Sequence, residues 1–211
     1  MYIYMMKEKD RRQRYRKMRS FILRPYSFIL AVVVILLHSC ATTSEIPEAK
    51  NTRIIENVPF YSQESYQCGP ASLASVLNYW GVNVTPDNIA KEIFSESARG
   101  TLNIDMILYA QRKGLKATQY KGGIEDLKKN IESGYPLVVL VDYGFSLYQV
   151  NHFMVVVGYN ENRVIVNSGR DKCKFISEKD FIKTWERTKF WTLLIKPVSS
   201  KKKELKIGNE N

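Results

Sequence analysis

The chain reads as an α+β domain with helices first and an antiparallel sheet after them. Three observations lead there. Apolar residues recur at helical spacing in the first half, as at Leu73, Val76, Leu77 and Trp80. The second half holds near-continuous apolar runs at 136–143 (PLVVLVDY), 152–159 (HFMVVVGY) and 163–167 (RVIVN). Helical segments followed by strands in this order favour α+β over a doubly wound sheet.

Each element has a local reason. Residues 54–61 carry an extended pattern. Cys68-Gly69-Pro70 opens a helix, because Pro in the first turn lacks an N–H that would have no partner there; Gly81 stops it. Thr85-Pro86-Asp87 starts a second helix with Ile89, Ile93 and Phe94 expected on one face. Gly100-Thr101 opens a third, with Ile104, Ile107, Leu108 and Gln111 before Gly114. Residues 115–120 suit a short strand. Ile124, Leu127 and Ile131 mark an amphipathic helix closing at Gly134. The runs at 152–159 and 163–167 are joined by Asn160-Glu161-Asn162 as a hairpin turn. Ser177 starts a last helix carrying Phe181, Ile182 and Trp185, and residues 190–196 form a closing strand.

The net charge of +11 does not indicate a nucleic-acid partner. Residues 1–39 hold nine Lys/Arg against two Asp/Glu, which leaves only +4 for residues 40–211. No basic stripe interleaved with aromatics and no zinc-ligand spacing follows. The leader itself has the parts of an export signal: a basic stretch through Arg24, an apolar run at 28–37, then small residues before Cys40. Ten apolar residues fall short of the roughly twenty a membrane span needs. Leu37-His38-Ser39-Cys40 resembles a bacterial lipobox, which implies a lipidated Cys40 and a membrane-anchored lipoprotein of the cell envelope. Translation starting at Met18 would leave a compact signal. The expected organisation is a signal peptide at 1–39, a tether at 40–53, a domain at 54–197 and a Lys-rich tail at 198–211.

With Cys40 carrying lipid, Cys68 and Cys173 remain, and the charged segment around Cys173 reads as a turn holding a free thiol. Cys68 is the chemical candidate. At a helix N-terminus, unpaired N–H groups and the dipole favour an anion, which is expected to push a thiol towards thiolate. His38 belongs to the leader, so His152 is the one imidazole available to residues 40–211 as a general base. Gln63, five residues before Cys68, is a candidate second donor, beside the Cys68 backbone N–H, for the oxyanion of a tetrahedral intermediate. One histidine and two thiols form no metal-ligand cluster, and no cofactor is expected.

Val58-Pro59-Phe60-Tyr61-Ser62-Gln63, Cys68-Gly69-Pro70-Ala71-Ser72-Leu73 and Asn151-His152-Phe153 leading to Val157-Gly158-Tyr159 resemble the C-39 family of cysteine peptidases. These are papain-like enzymes best known for processing double-glycine leader peptides of bacteriocins. The resemblance spans about residues 55–196. It implies a papain-like fold, the nucleophile helix packed on an antiparallel sheet, and peptide hydrolysis through a thioester on Cys68 with His152 as base. The implied substrate is a peptide or protein of the envelope, with an export-system component as a further partner.

The family pattern places an Asp sixteen residues after the histidine to orient its ring; that position is Ser168. Asn167 is the neighbouring candidate for orienting His152, although a one-residue shift on a strand turns the side chain to the other face unless a bulge intervenes. Asp142 and Asp171 are weaker candidates, read as solvated or capping carboxylates. Two other functions compete with a peptidase. One is a peptide-binding module with a vestigial Cys-His pair, supported by the absent Asp. The other is a papain-like cell-wall endopeptidase, a group that carries Asp-Cys-Ser-Gly where this chain has Gln67-Cys68-Gly69-Pro70.

Overall fold

A computed structural model describes residues 51–62 and 67–198, which lie within one compact unit spanning residues 48–211. The signal peptide, His38, Cys40, most of the tether, Gln63 and the tail from Ser199 lie outside the described residues. Among the described residues no helix is long and apolar enough to cross a membrane.

The elements follow in chain order as β1 (Arg53–Ile54), α1 (Cys68–Tyr79), α2 (Pro86–Ile93), β2 (Phe94–Ser95), β3 (Gly100–Thr101) and α3 (Asn103–Arg112). Then come β4 (Leu115–Lys121), α4 (Ile124–Glu132), β5 (Leu137–Asp142), β6 (Asn151–Tyr159) and β7 (Arg163–Ser168). The chain closes with β8 (Asp171–Ser177), α5 (Glu178–Glu186) and β9 (Trp191–Pro197). The fold is α+β and papain-like, and its main sheet is antiparallel in the order β4-β9-β5-β6-β7-β8. Strand β1 joins β6 at Gly158 and Tyr159, past the last β5 pair at Val156.

Central strands β5 and β6 are apolar nearly throughout because both faces are covered, so they lack the alternation of a half-exposed sheet. Helix α1 packs against β6, and Leu73, Ala74, Val76 and Leu77 are wholly buried there. Its far end is fixed by the Trp80 indole N–H donating to the Ile195 carbonyl at 2.8 Å. This face of α1 sets where its first residue, Cys68, meets the sheet.

Three local expectations need correction. Phe94 does not continue the buried face of α2; it leaves the helix into β2 and is exposed. Helix α3 is rotated from the expected face: Met106, Ile107, Tyr109 and Ala110 are buried, while Ile104 and Leu108 face outward. The charged segment around Cys173 is strand β8 rather than a turn, legible only through its pairing with β7.

Candidate active site

Cys68 begins α1 after Gln67, in a first turn without acidic residues. The helix can start there because Gly69 lets another element approach. A Cβ on Gly69 would fall 2.7 Å from the Cβ of Thr101, so the β2–β3 hairpin closes over the helix end only where position 69 has no side chain. Thr101 Oγ1 is buried at this contact without a hydrogen-bond partner among the described residues.

The Cys68 thiol is half-buried, and burial is the largest influence on it, raising it above the ordinary thiol value. Backbone hydrogen bonds from Phe153, Gly69 and Cys68 itself work the other way without overcoming burial. The expected drift towards thiolate is therefore corrected: loss of water outweighs the helix terminus. Phe153, whose backbone acts on the thiol, is the residue after His152 on β6. Cys68 and His152 line one cleft of about 1190 Å³, with Gln67, Thr101, Leu140 and Phe153 among its other walls. Cys173 is likewise a free thiol, on β8.

His152 lies near the start of β6 and its Nε2 is 3.0 Å from Ser168 Oγ, sixteen residues on at the end of β7. The Tyr143 ring lies 6.0 Å from the imidazole, inclined by 33°. Burial lowers the His152 pKa below its ordinary 6.5, and the nearby Lys174 cation lowers it further. The surroundings thus favour the neutral imidazole and the neutral thiol in the one cleft they line.

Asn167 does not orient His152. A register shift between Val166 and Ser168 leaves an extra residue on β8, where Cys173 takes φ +52°. Asn167 turns to that bulge, its Oδ1 accepting the Cys173 N–H at 3.0 Å. The bulge consumes the Asn167 amide instead of swinging it to His152. Of the two readings of Asp142, solvated or capping, the structure has the capping one, with the residue only 1% exposed. Its carboxylate accepts the Gly144 and Val150 N–H groups at 2.8 Å each and pairs with Arg187 at 2.9 Å. Asp171 pairs with Lys174 at 3.0 Å. Neither carboxylate addresses the imidazole. Sequence reasoning passed over Tyr143 and Lys174 as parts of the site; the one signal pointing to Ser168 was its spacing from His152. Among the described residues no His, Cys, Asp and Glu cluster suits a metal ion.

Comparison with known proteins agrees with this architecture. Residues 55–192 match the model of the Peptidase_C39 like family. An uncharacterized protein of Methanothermobacter thermautotrophicus is 34% identical over 114 residues, 54% of this chain and 72% of the relative. A second, from Methanothermobacter marburgensis, is 31% identical over 47% of this chain and 62% of its own length. Among solved structures, a Bacillus anthracis chain described as a C39-like peptidase superposes with TM-score 0.60 at 19% identity, covering 71% of this chain and 99% of its own. The peptidase domain of Streptococcus ComA, a bi-functional ABC transporter of a quorum-sensing pathway, gives 0.56 at 23%, covering 66% and 97%. At these identities the structures speak for the fold, while the family match spans nearly all the described residues: the chain belongs to the Peptidase_C39 like family.

Proposed function

We propose that this protein is a lipid-anchored cysteine peptidase of the cell envelope, cleaving peptide bonds with Cys68 as nucleophile and His152 as general base. The observation that carries the reading is the shared cleft, with Cys68 on a helix end and His152 on the strand that packs against it. The Ser168 contact supports a division of labour in the imidazole. With Nε2–H donating to Ser168, the Nδ1 lone pair is free for the thiol proton.

In this reading proton transfer accompanies attack rather than preceding it. His152 removes the thiol proton as Sγ bonds to the scissile carbonyl carbon, and the carbonyl oxygen becomes an oxyanion. The Cys68 backbone N–H and the Gln63 side-chain amide are the proposed donors to that oxyanion. The intermediate collapses by breaking the C–N bond, and imidazolium returns the proton to the departing amine. Water, deprotonated by His152, then attacks the thioester, releasing the acid and regenerating the thiol. Cys40 is the proposed lipidation site, and an envelope peptide or protein the substrate.

The decisive experiment compares protein N-termini in the envelope of wild type and Cys68→Ala cells. Loss of one or a few specific N-termini, with the same loss in His152→Ala, is the expected outcome; identical profiles would sink the reading. A second reading, a peptide-holding module without turnover, is favoured by one observation: a neutral Ser168 stands where the family pattern has a carboxylate. Saturable peptide binding by the wild-type protein with no acyl-enzyme and no cleavage would establish it.

A further inference from the structure

Among the described residues, the charged ones lining the cleft are both cationic. Arg99 comes from the β2–β3 hairpin and Arg170 from the β7–β8 turn, and among the described residues no Asp or Glu lines the same space. Both arginines are exposed, and neither is in an ion pair among the described residues. Their placement is specific. The Arg99 hairpin packs on the helix end that bears Cys68, through the Thr101–Gly69 contact. Arg170 is two residues beyond Ser168, the group holding His152. One cation therefore stands on the nucleophile side and the other on the base side, with Leu102, Tyr148 and Val150 supplying partly exposed apolar surface along the cleft. The α1 N-terminus has no acidic residue in its first turn to cancel its dipole, and adds to the same field.

Resting on the peptidase reading above, we infer that the substrate is an acidic peptide, with carboxylate side chains flanking the scissile bond that engage Arg99 on one side of Cys68 and Arg170 on the other. Arginine presents a planar fork that matches a carboxylate, and two such forks across one cleft fix the spacing and register of an extended chain. The inference also fills a gap in the site. The family pattern has a carboxylate beside the histidine; this chain has a hydroxyl at that position and Lys174 nearby. A substrate carboxylate paired with Arg170 cancels that cation on the base side of the cleft, so an acidic peptide relieves repulsion against the imidazolium that forms as Cys68 attacks. Charge recognition is thereby expected in kcat as well as in KM.

The test uses the full chain in detergent and fluorescein-labelled decapeptides of one sequence whose flanking positions are Glu, Gln or Lys. Turnover by wild type and equilibrium binding to Cys68→Ala are measured at low and high salt. The Glu peptides are expected to exceed the Gln peptides about tenfold in kcat/KM and in affinity at low salt, with the gap shrinking in high salt. Arg99→Glu combined with Arg170→Glu is expected to transfer the preference to the Lys peptides, a gain that a misfolded variant cannot show. Equal handling of all three peptides, or a double variant that keeps its preference for Glu, overturns the inference. Charge-selective binding with no turnover of any peptide sustains the acidic ligand class and refutes the peptidase reading instead.

Discussion

His152 Nε2 and Ser168 Oγ are 3.0 Å apart, a hydrogen bond between the ends of two adjacent strands. It fixes the ring without supplying charge. A carboxylate in the same place would steer the imidazole and stabilise its protonated form, whereas a hydroxyl does only the first. Ser168→Ala is expected to lower kcat/KM roughly 3- to 12-fold, the worth of one ordinary hydrogen bond. Ser168→Asp is expected to raise the His152 pKa and accelerate turnover at neutral pH. Steady-state pH profiles of the two variants check both, and a neutral effect of Ser168→Ala would remove Ser168 from the site.

Protonation of His152 should leave a signature at acid pH. Burial first, and Lys174 second, hold its pKa below 6.5, so the base stays neutral to lower pH than a free imidazole. The acid limb of kcat/KM is expected below pH 6.5, and Lys174→Met is expected to move it upward. The same shift acts on stability. Below the ordinary value the unfolded chain takes up a proton that the folded chain refuses, so stability is lost as pH falls from 6.5 through the folded value. His152 is the single histidine of residues 40–211, which makes its imidazole resonance in an NMR titration unambiguous once the leader is absent.

Asp142, buried under the β5–β6 loop, pairs with the partly exposed Arg187, which also reaches the Ser146 carbonyl at 3.4 Å. Burial opposes the charge on Asp142, but bonds from Val150, Gly144 and Arg187 outweigh it and hold its pKa below the ordinary 3.8. The stabilisation is thus present above that value and lost as pH falls through the lower folded one. Asp142→Asn is expected to destabilise the domain by about 2–3 kcal/mol, since charged hydrogen bonds are lost around a buried site. Urea unfolding of wild type and variant at pH 7 measures it.

Gly69 is constrained by its neighbour rather than by its own backbone. Gly69→Ala is expected to cost about 1–3 kcal/mol, as overpacking typically does, and to displace the helix end that carries Cys68. Because the close atom is the Thr101 Cβ, Thr101→Gly in the same chain is expected to restore both stability and the Cys68 alkylation rate. If the double variant is no better than Gly69→Ala, the contact is not the cause.

Much of this was legible in the sequence because it rests on local pattern. Helix α1 follows from Cys68-Gly69-Pro70 and the spacing of Leu73, Val76 and Leu77; β5, β6 and β7 follow from runs too apolar for exposed strands. What escaped depends on pairing between distant segments. Strand β8 has an exposed, charged sequence and exists because β7 offers it an edge. The choice between Asn167 and Ser168 was decided by a bulge on the opposing strand, which no property of either residue encodes. The thiol was misjudged for a similar reason: helix position is readable along the chain, whereas the burial that raises the thiol depends on how the chain packs in space.

The Asp142–Arg187 strap has a thermodynamic consequence for recognition. It pins the backbone of the β5–β6 loop at Gly144, Ser146 and Val150, and Tyr148, Gln149 and Val150 of that loop form one wall of the cleft. A wall tied down before any peptide arrives gives up little conformational freedom on binding. For the peptide substrate proposed above, ranking is expected to follow the fit to a standing surface, with discrimination falling chiefly on how fast the poor fits leave.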